Sequence, residues 1–141
     1  MKYDDASWHY GGDFPKDLED EAGATHIGMF LTWCLLNGLA GELHVEELPD
    51  ELAKLRDREE TPGQWFIRNC DEKFTDEDLN EIGNNFTAFY YASDRAPYLG
   101  VYESTLGLNV SHLYAVPDTW DSYDRLALKL SLAFKKWSKN S

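Results

Sequence analysis

Sulfur and basic charge are both scarce in this chain. It has two cysteines, Cys34 and Cys70, in 141 residues. Both fall in stretches with a helical pattern, and a lone pair of thiols in a reducing compartment is ordinarily two buried free cysteines. No disulfide framework is therefore expected. Long apolar runs are also missing. The longest apolar cluster, HIGMFLTWCLL over residues 26–36, is too short to cross a bilayer. The opening MKYDDASW has neither an apolar signal region nor an Arg-rich transit pattern. The expectation is a cytoplasmic protein with no membrane partner, in which the sequons NFT (85–87) and NVS (109–111) carry no meaning. There is no HExxH, no paired CxxC, no phosphate-binding loop, no GxGxxG and no GxSxG. No cofactor, resident metal or catalytic set is expected, and the chain does not read as an enzyme.

Acid is abundant. The net charge is −13, and it is unevenly placed. Residues 1–81 carry 21 acids against 7 bases, a net of −14, while residues 82–141 carry 5 against 6, a net of +1. Such a chain repels nucleic acid and anionic membranes and attracts basic surfaces. Solubility alone would account for an acidic total. The asymmetry favours a basic partner.

Helical periodicity dominates the chain. Ile27, Phe30, Leu31, Cys34 and Leu35 share one helical face, and Met29, Trp33 and Leu36 make a second stripe. This predicts a central helix over about 21–37, stopped by Asn37-Gly38. A mostly charged surface helix should follow at about 49–59, with Pro49 in its first turn and Leu52 and Leu55 as its apolar contacts. Thr61, Pro62 and Gln64 read as a capping box opening a third helix. In FTDEDL, Thr75 and Asp78 read as the cap of a fourth, with Leu79, Ile82, Phe86, Phe89 and Tyr90 on its face. A short helix at 98–106 and a last one at about 122–138 complete the set. Strand-like alternation is scarce. The expectation is an all-α single domain over 1–141, a bundle of five or six helices with an irregular N-terminal strap at 1–20. Pro15 blocks a helix through the strap, Gly11-Gly12 permits a tight turn, and Tyr3, Trp8, Tyr10 and Phe14 give it aromatics to pack.

The strap is also the densest collection of potential ligands. Asp4, Asp5, His9 and Asp13 could supply oxygens and one nitrogen to a divalent ion, although aspartates in irregular segments more often bond nearby backbone N–H groups. His26 reads as a core or helix-start histidine. Asp71-Glu72 reads as solvated, and Asp76-Glu77-Asp78 as the acidic first turn of a helix. Among the tryptophans, Trp8 and Trp120 lie in irregular segments and are expected to be partly exposed.

Several stretches taken together, KYDDASWH…GGDFP, AGATHIGMFLTW, LRDREETPGQW, CDEKFTDEDLN, GNNFTAFYY and YAVPDTWDSYDRL, resemble a family of small bacterial proteins catalogued as a domain of unknown function. The resemblance covers nearly the whole chain and brings no catalytic residues with it. It marks Asp4, Asp5, Trp8, His9, Asp13 and the run Gly23 to Gly28 as part of the signature. Such proteins are similar in size and charge to immunity proteins of polymorphic-toxin systems. The resulting expectation is a monomeric antitoxin that binds a basic, nucleic-acid- or nucleotide-targeting toxin domain and occludes its active site. The expected contact edge is Asp4, Asp5, Trp8, His9 and Asp13, with Glu46, Glu47, Asp71 and Glu72 as second choices. The alternatives are a small metal-dependent hydrolase using the N-terminal Asp and His residues, and an acidic nucleic-acid mimic.

Overall fold

The computed structural model describes residues 1–9 and 14–140. The Gly11-Gly12 turn expected in the strap, together with Tyr10 and Asp13, lies outside the described residues. Six α-helices are present among the described residues: α1 (Thr25–Leu36), α2 (Pro49–Arg56), α3 (Pro62–Cys70), α4 (Glu81–Tyr90), α5 (Pro97–Leu106) and α6 (Trp120–Lys139). The two apolar stripes of α1 have a direct consequence. Every residue of this helix except Leu36 is buried, including the polar Thr25, His26 and Thr32. Helices α2, α3 and α6 and the 3-10 turn Asp20–Ala24 pack around it. Phe30 stands at the centre of an aromatic cluster, with the rings of Phe74, Phe86, Tyr90, Tyr91 and Tyr98 all within 6.4 Å of it. A fully buried Phe or Leu contributes about 1.5–3 kcal/mol. An exposed ion pair such as Arg58–Asp124 contributes about 0–1 kcal/mol. The core around α1 therefore decides stability.

The strap departs from the irregular form expected of it. Lys2–Asp5 is a strand, β1, pairing antiparallel with β2 (Lys73–Thr75) in the register Lys2↔Thr75, Asp4↔Phe74, Asp5↔Lys73. A bulge between Lys2 and Asp4 lets Asp4 and Asp5 both turn inward. The Met1 amine bonds Asp76 Oδ1 at 3.1 Å, and Ala6 N donates to Glu72 O at 2.9 Å, so the pairing is tied at both ends.

Cap signals place three of the helices. Thr61 and Gln64 form a reciprocal capping box at the start of α3. Asp118, from the loop before α6, adds to it by accepting from Thr61 Oγ1 at 2.5 Å and from Gly63 N at 2.8 Å. Thr119 caps α6 two residues earlier than the periodicity indicates. The Thr75–Asp78 box is also formed, but it closes only a single 3-10 turn, Asp76–Asp78. Leu79 is extended and bridges to Ala40, so α4 starts at Glu81 under its own cap, Asn80. Of the face expected there, Leu79, Phe86 and Tyr90 are buried, whereas Ile82 and Phe89 are exposed.

Close approach of α1 to α3 depends on one glycine. A Cβ on Gly28 would stand 2.8 Å from Pro62 O and 3.0 Å from Gly63 Cα, both backbone atoms that cannot rotate away. Gly28→Ala is accordingly expected to destabilise the protein by about 1–3 kcal/mol, the usual range for overpacking. Urea unfolding checks this, and an unchanged midpoint would show that the two helices can separate without cost.

Candidate functional site

Asp4 is the centre of a buried polar cluster assembled from four parts of the chain. β1 supplies Asp4, the 3-10 turn Ala6–His9 supplies His9, the first turn of α1 supplies His26, and Tyr91 follows the last residue of α4. Asp4 Oδ1 accepts from His9 Nε2 and from Asp5 N, each at 2.8 Å. Asp4 Oδ2 accepts from the Tyr91 hydroxyl at 2.5 Å and lies 3.6 Å from His26 Nε2. The other ring nitrogen of His9, Nδ1, meets the Tyr114 hydroxyl at 2.6 Å. With a proton on Nε2, facing the carboxylate, the neutral ring accepts from Tyr114 at Nδ1. The His9 and His26 rings meet edge to face at 4.7 Å between centroids. Tyr98 donates to the His26 carbonyl at 2.5 Å, holding the start of α1 to α5.

The electrostatics follow from burial and these partners. Burial opposes ionisation of Asp4, but the His26 and His9 imidazoles and the Tyr91 hydroxyl outweigh it and hold the carboxyl well below its usual range. Burial lowers His26 from its ordinary 6.5, and Asp4 only partly offsets this. Burial and the neighbouring Asp4 charge push the Tyr91 hydroxyl well up. Two cavities adjoin the cluster. One, of about 270 Å³, is lined by Asp4, His9, His26, Trp8, Tyr91 and Leu99 among others. The second, of about 160 Å³, is lined by His9, His26, Tyr102, His112 and Tyr114 among others. Both histidines therefore border both cavities.

This geometry sorts the expected contact residues. Asp4 and Asp5 are 8% and 4% exposed, and their oxygens serve the chain itself, which removes them from an exposed contact edge. Asp5 is tied to Lys2 Nζ at 2.9 Å and to the Ser7 hydroxyl at 2.7 Å; burial opposes its ionisation, but these partners hold its carboxyl at about 2. The expected packing by the strap aromatics holds for Tyr3, on Phe74 at 5.1 Å, and for Phe14, on Tyr114 at 5.0 Å. Trp8 does not pack down; it is 58% exposed, with Lys2 Nζ 5.5 Å from its ring centroid. His9 is half-buried and bridges Asp4 to Tyr114. Glu46 and Glu47 are exposed on the π-helical turn Leu43–Glu47. Asp71 is exposed and paired with Lys73 at 2.9 Å, and Glu72 is half-buried. The site members that the sequence pattern does not join to the strap are His26, Tyr91 and Tyr114, each distant from Asp4 along the chain.

A second feature lies beside the Leu43–Glu47 turn. A groove of about 450 Å³ is lined by Ala40, Gly41, Glu42, Val45, Glu46, Leu79, Asn80 and Glu81. It contains three carboxylates and no basic side chain, and Val45 is 51% exposed at its edge. By contrast, Glu51 and Glu60 are bound by Arg68, and Asp124 by Arg58. A further buried cluster, His44, Cys70 and Asp78, lies below the same turn, with His44 Nε2 2.8 Å from Asp78 Oδ1.

The sequence model of the family described as Domain of unknown function (DUF7832) matches residues 2–116. No curated protein and no solved structure matches the chain. Among the described residues, no helix is long and apolar enough to cross a membrane.

The Asp4–His26 cluster dictates the direction of the pH response. The folded Asp4 carboxyl titrates below its unfolded value, so its stabilisation is complete above the ordinary carboxyl range and is lost as pH falls through the folded value. Folded His26 also titrates below its unfolded 6.5; below that pH the unfolded chain takes up a proton that the folded protein resists. Both groups make stability rise with pH. In EDTA-containing buffer the urea midpoint is expected to fall from pH 7 to 5 and again towards pH 3. His26→Gln should flatten the first fall and, because His26 is also what most lowers the Asp4 carboxyl, reduce the second. An unchanged upper fall in a folded His26→Gln protein would assign it to other groups.

Proposed function

The chain belongs to this family, and we propose that it is an immunity protein that neutralises a basic toxin domain by binding it and blocking its active site. The observation that carries the reading is the acidic groove between the Leu43–Glu47 turn and the start of α4. Glu42, Glu46 and Glu81 line it with no base among its lining residues, and the exposed Val45 gives it an apolar edge. Carboxylates left without cations steer a positive surface towards them, and an adjoining apolar residue supplies the dehydrated contact that lengthens residence. The concentration of acid in residues 1–81 extends the same field beyond the groove. Inhibition on this reading is steric and electrostatic and involves no turnover. Glu46 and Glu47, on the turn itself, remain in the proposed contact. Asp4 and Asp5 support the edge from within, by anchoring β1 to the strand that precedes the turn Asp76–Asp78.

The test is co-expression with the C-terminal domain of a toxin encoded beside the gene, followed by binding kinetics on the purified pair. A stoichiometric complex and restored growth are expected, with association that slows steeply as salt rises. Glu46→Lys combined with Glu81→Lys is expected to lower the association rate at low salt by about tenfold or more, with the unfolding midpoint near that of the wild type. Absence of both complex and growth rescue would sink the proposal. A complex whose formation ignores these two reversals would place the contact elsewhere.

A further inference from the structure

We propose that Asp4, His9 and His26 form a binding site for a divalent first-row transition-metal ion. One carboxylate and two imidazoles are a ligand set suited to such ions, and the ligand atoms here all lie within 4.8 Å of one another. Their spacing suits a shared ion. Ligand atoms about 2.0–2.1 Å from a tetrahedral ion stand roughly 3.3 Å apart. His26 Nε2 is 3.6 Å from Asp4 Oδ2, too far for a good hydrogen bond yet close to that separation. His9 Nε2 lies 2.8 Å from the other carboxylate oxygen, Oδ1, and would move outward by about half an ångström for the carboxylate to face one ion shared by both imidazoles.

Orienting groups are already in place for His9 and Asp4. A ligating imidazole ordinarily donates its second ring N–H to an oxygen, which fixes its rotation and tautomer. His9 Nδ1 already meets the Tyr114 hydroxyl, which can rotate from donor to acceptor when the ion takes the place of the Nε2 proton. Tyr91 holds the Asp4 carboxylate by its second oxygen. The two cavities bordered by both histidines leave coordination positions open to water or a small ligand.

The other candidate cluster, His44, Cys70 and Asp78, lacks this preparation. Among the described residues, His44 Nδ1 has no partner to orient the ring.

The proposal is tested on full-length protein stripped with chelator and titrated with Zn²⁺, then with Co²⁺ as a spectroscopic probe. One equivalent is expected to bind at micromolar affinity or tighter, raising the melting temperature. In wild-type protein carrying ¹⁵N-histidine, Zn²⁺ is expected to shift the Nε2 resonances of His9 and His26 and to leave those of His44 and His112 in place. His9→Gln, at a half-exposed position, should fold and bind at least about tenfold more weakly. Tyr114→Phe should weaken binding while leaving the Co²⁺ spectrum of the remaining bound fraction unchanged in type. Cys70→Ser should bind as the wild type does. The proposal is overturned if the folded wild type binds no equivalent, if the shifted resonances belong to His44 or His112, or if folded His9→Gln retains wild-type affinity.

Discussion

The structure depends on one constraint: α1 has almost no solvent face. A helix apolar on two stripes must be covered all round, and the rest of the chain is arranged as that cover. Gly28 lets α3 approach to backbone contact, α2 and α6 pack on other sides, and aromatic rings from β2, α4 and α5 close over Phe30. The constraint applies equally to polar residues on the helix. His26 is buried with its neighbours, and the covering layer brings a carboxylate near it, Asp4 on β1, at 3.6 Å. The N-terminal strand is thus the polar complement of the central helix, held in place by its pairing with β2.

The charge distribution divides along related lines. Acids close to an arginine are neutralised on the surface: Glu51 and Glu60 by Arg68, and Asp124 by Arg58. Asp4, Asp5 and Asp78 are consumed inside by hydrogen bonds. Among the acids that no arginine or lysine pairs are those on the Leu43–Glu47 turn and the first turn of α4, two elements brought together by the Ala40–Leu79 bridge. The net charge of the chain therefore overstates how much acid is free to meet a partner, and the groove gathers three of the free carboxylates beside an exposed apolar residue.

Much of the fold is legible in the sequence because the helices are local objects. The double stripe of α1, the Thr61–Gln64 box and the face Tyr123, Leu126, Leu130 of α6 need only neighbours along the chain. The departures come from interactions that sequence periodicity does not encode. β1 and β2 are four and three residues long, too short to show alternation, and their pairing joins residues some 70 positions apart. The Thr75–Asp78 box forms as its spacing predicts, but a capping box specifies a turn; whether a helix follows depends on the next residues. Leu79 instead extends to reach Ala40. The site divides in the same way. Asp4 and His9 stand out as a local cluster and do come together, whereas His26 carries only the signature of a core residue. Its place in the site exists because the N-terminal strand brings Asp4 to the start of α1, a relationship that no local spacing records.

Burial also explains why the strap's aspartates and its tryptophan exchange roles relative to the simplest reading of their chemistry. An aromatic is expected inside and a carboxylate outside, yet Trp8 is exposed while Asp4 and Asp5 are buried. The bulge between Lys2 and Asp4 breaks the strict alternation of the strand and turns two consecutive carboxylates inward. Such burial is tolerable only where protein donors replace the water that a carboxylate gives up. Asp5 meets this with Lys2 and Ser7, and Asp4 with His9, Tyr91 and the Asp5 amide, with His26 standing close by without a full hydrogen bond. Asp5 is thus accounted for by the local turn. At Asp4 the His9 and Tyr91 hydrogen bonds and the Asp5 amide already satisfy both oxygens, so the second imidazole exceeds what anchoring requires. That excess is what the proposed metal site rests on, since an anchor for the N-terminal strand needs one imidazole and a ligand set needs both.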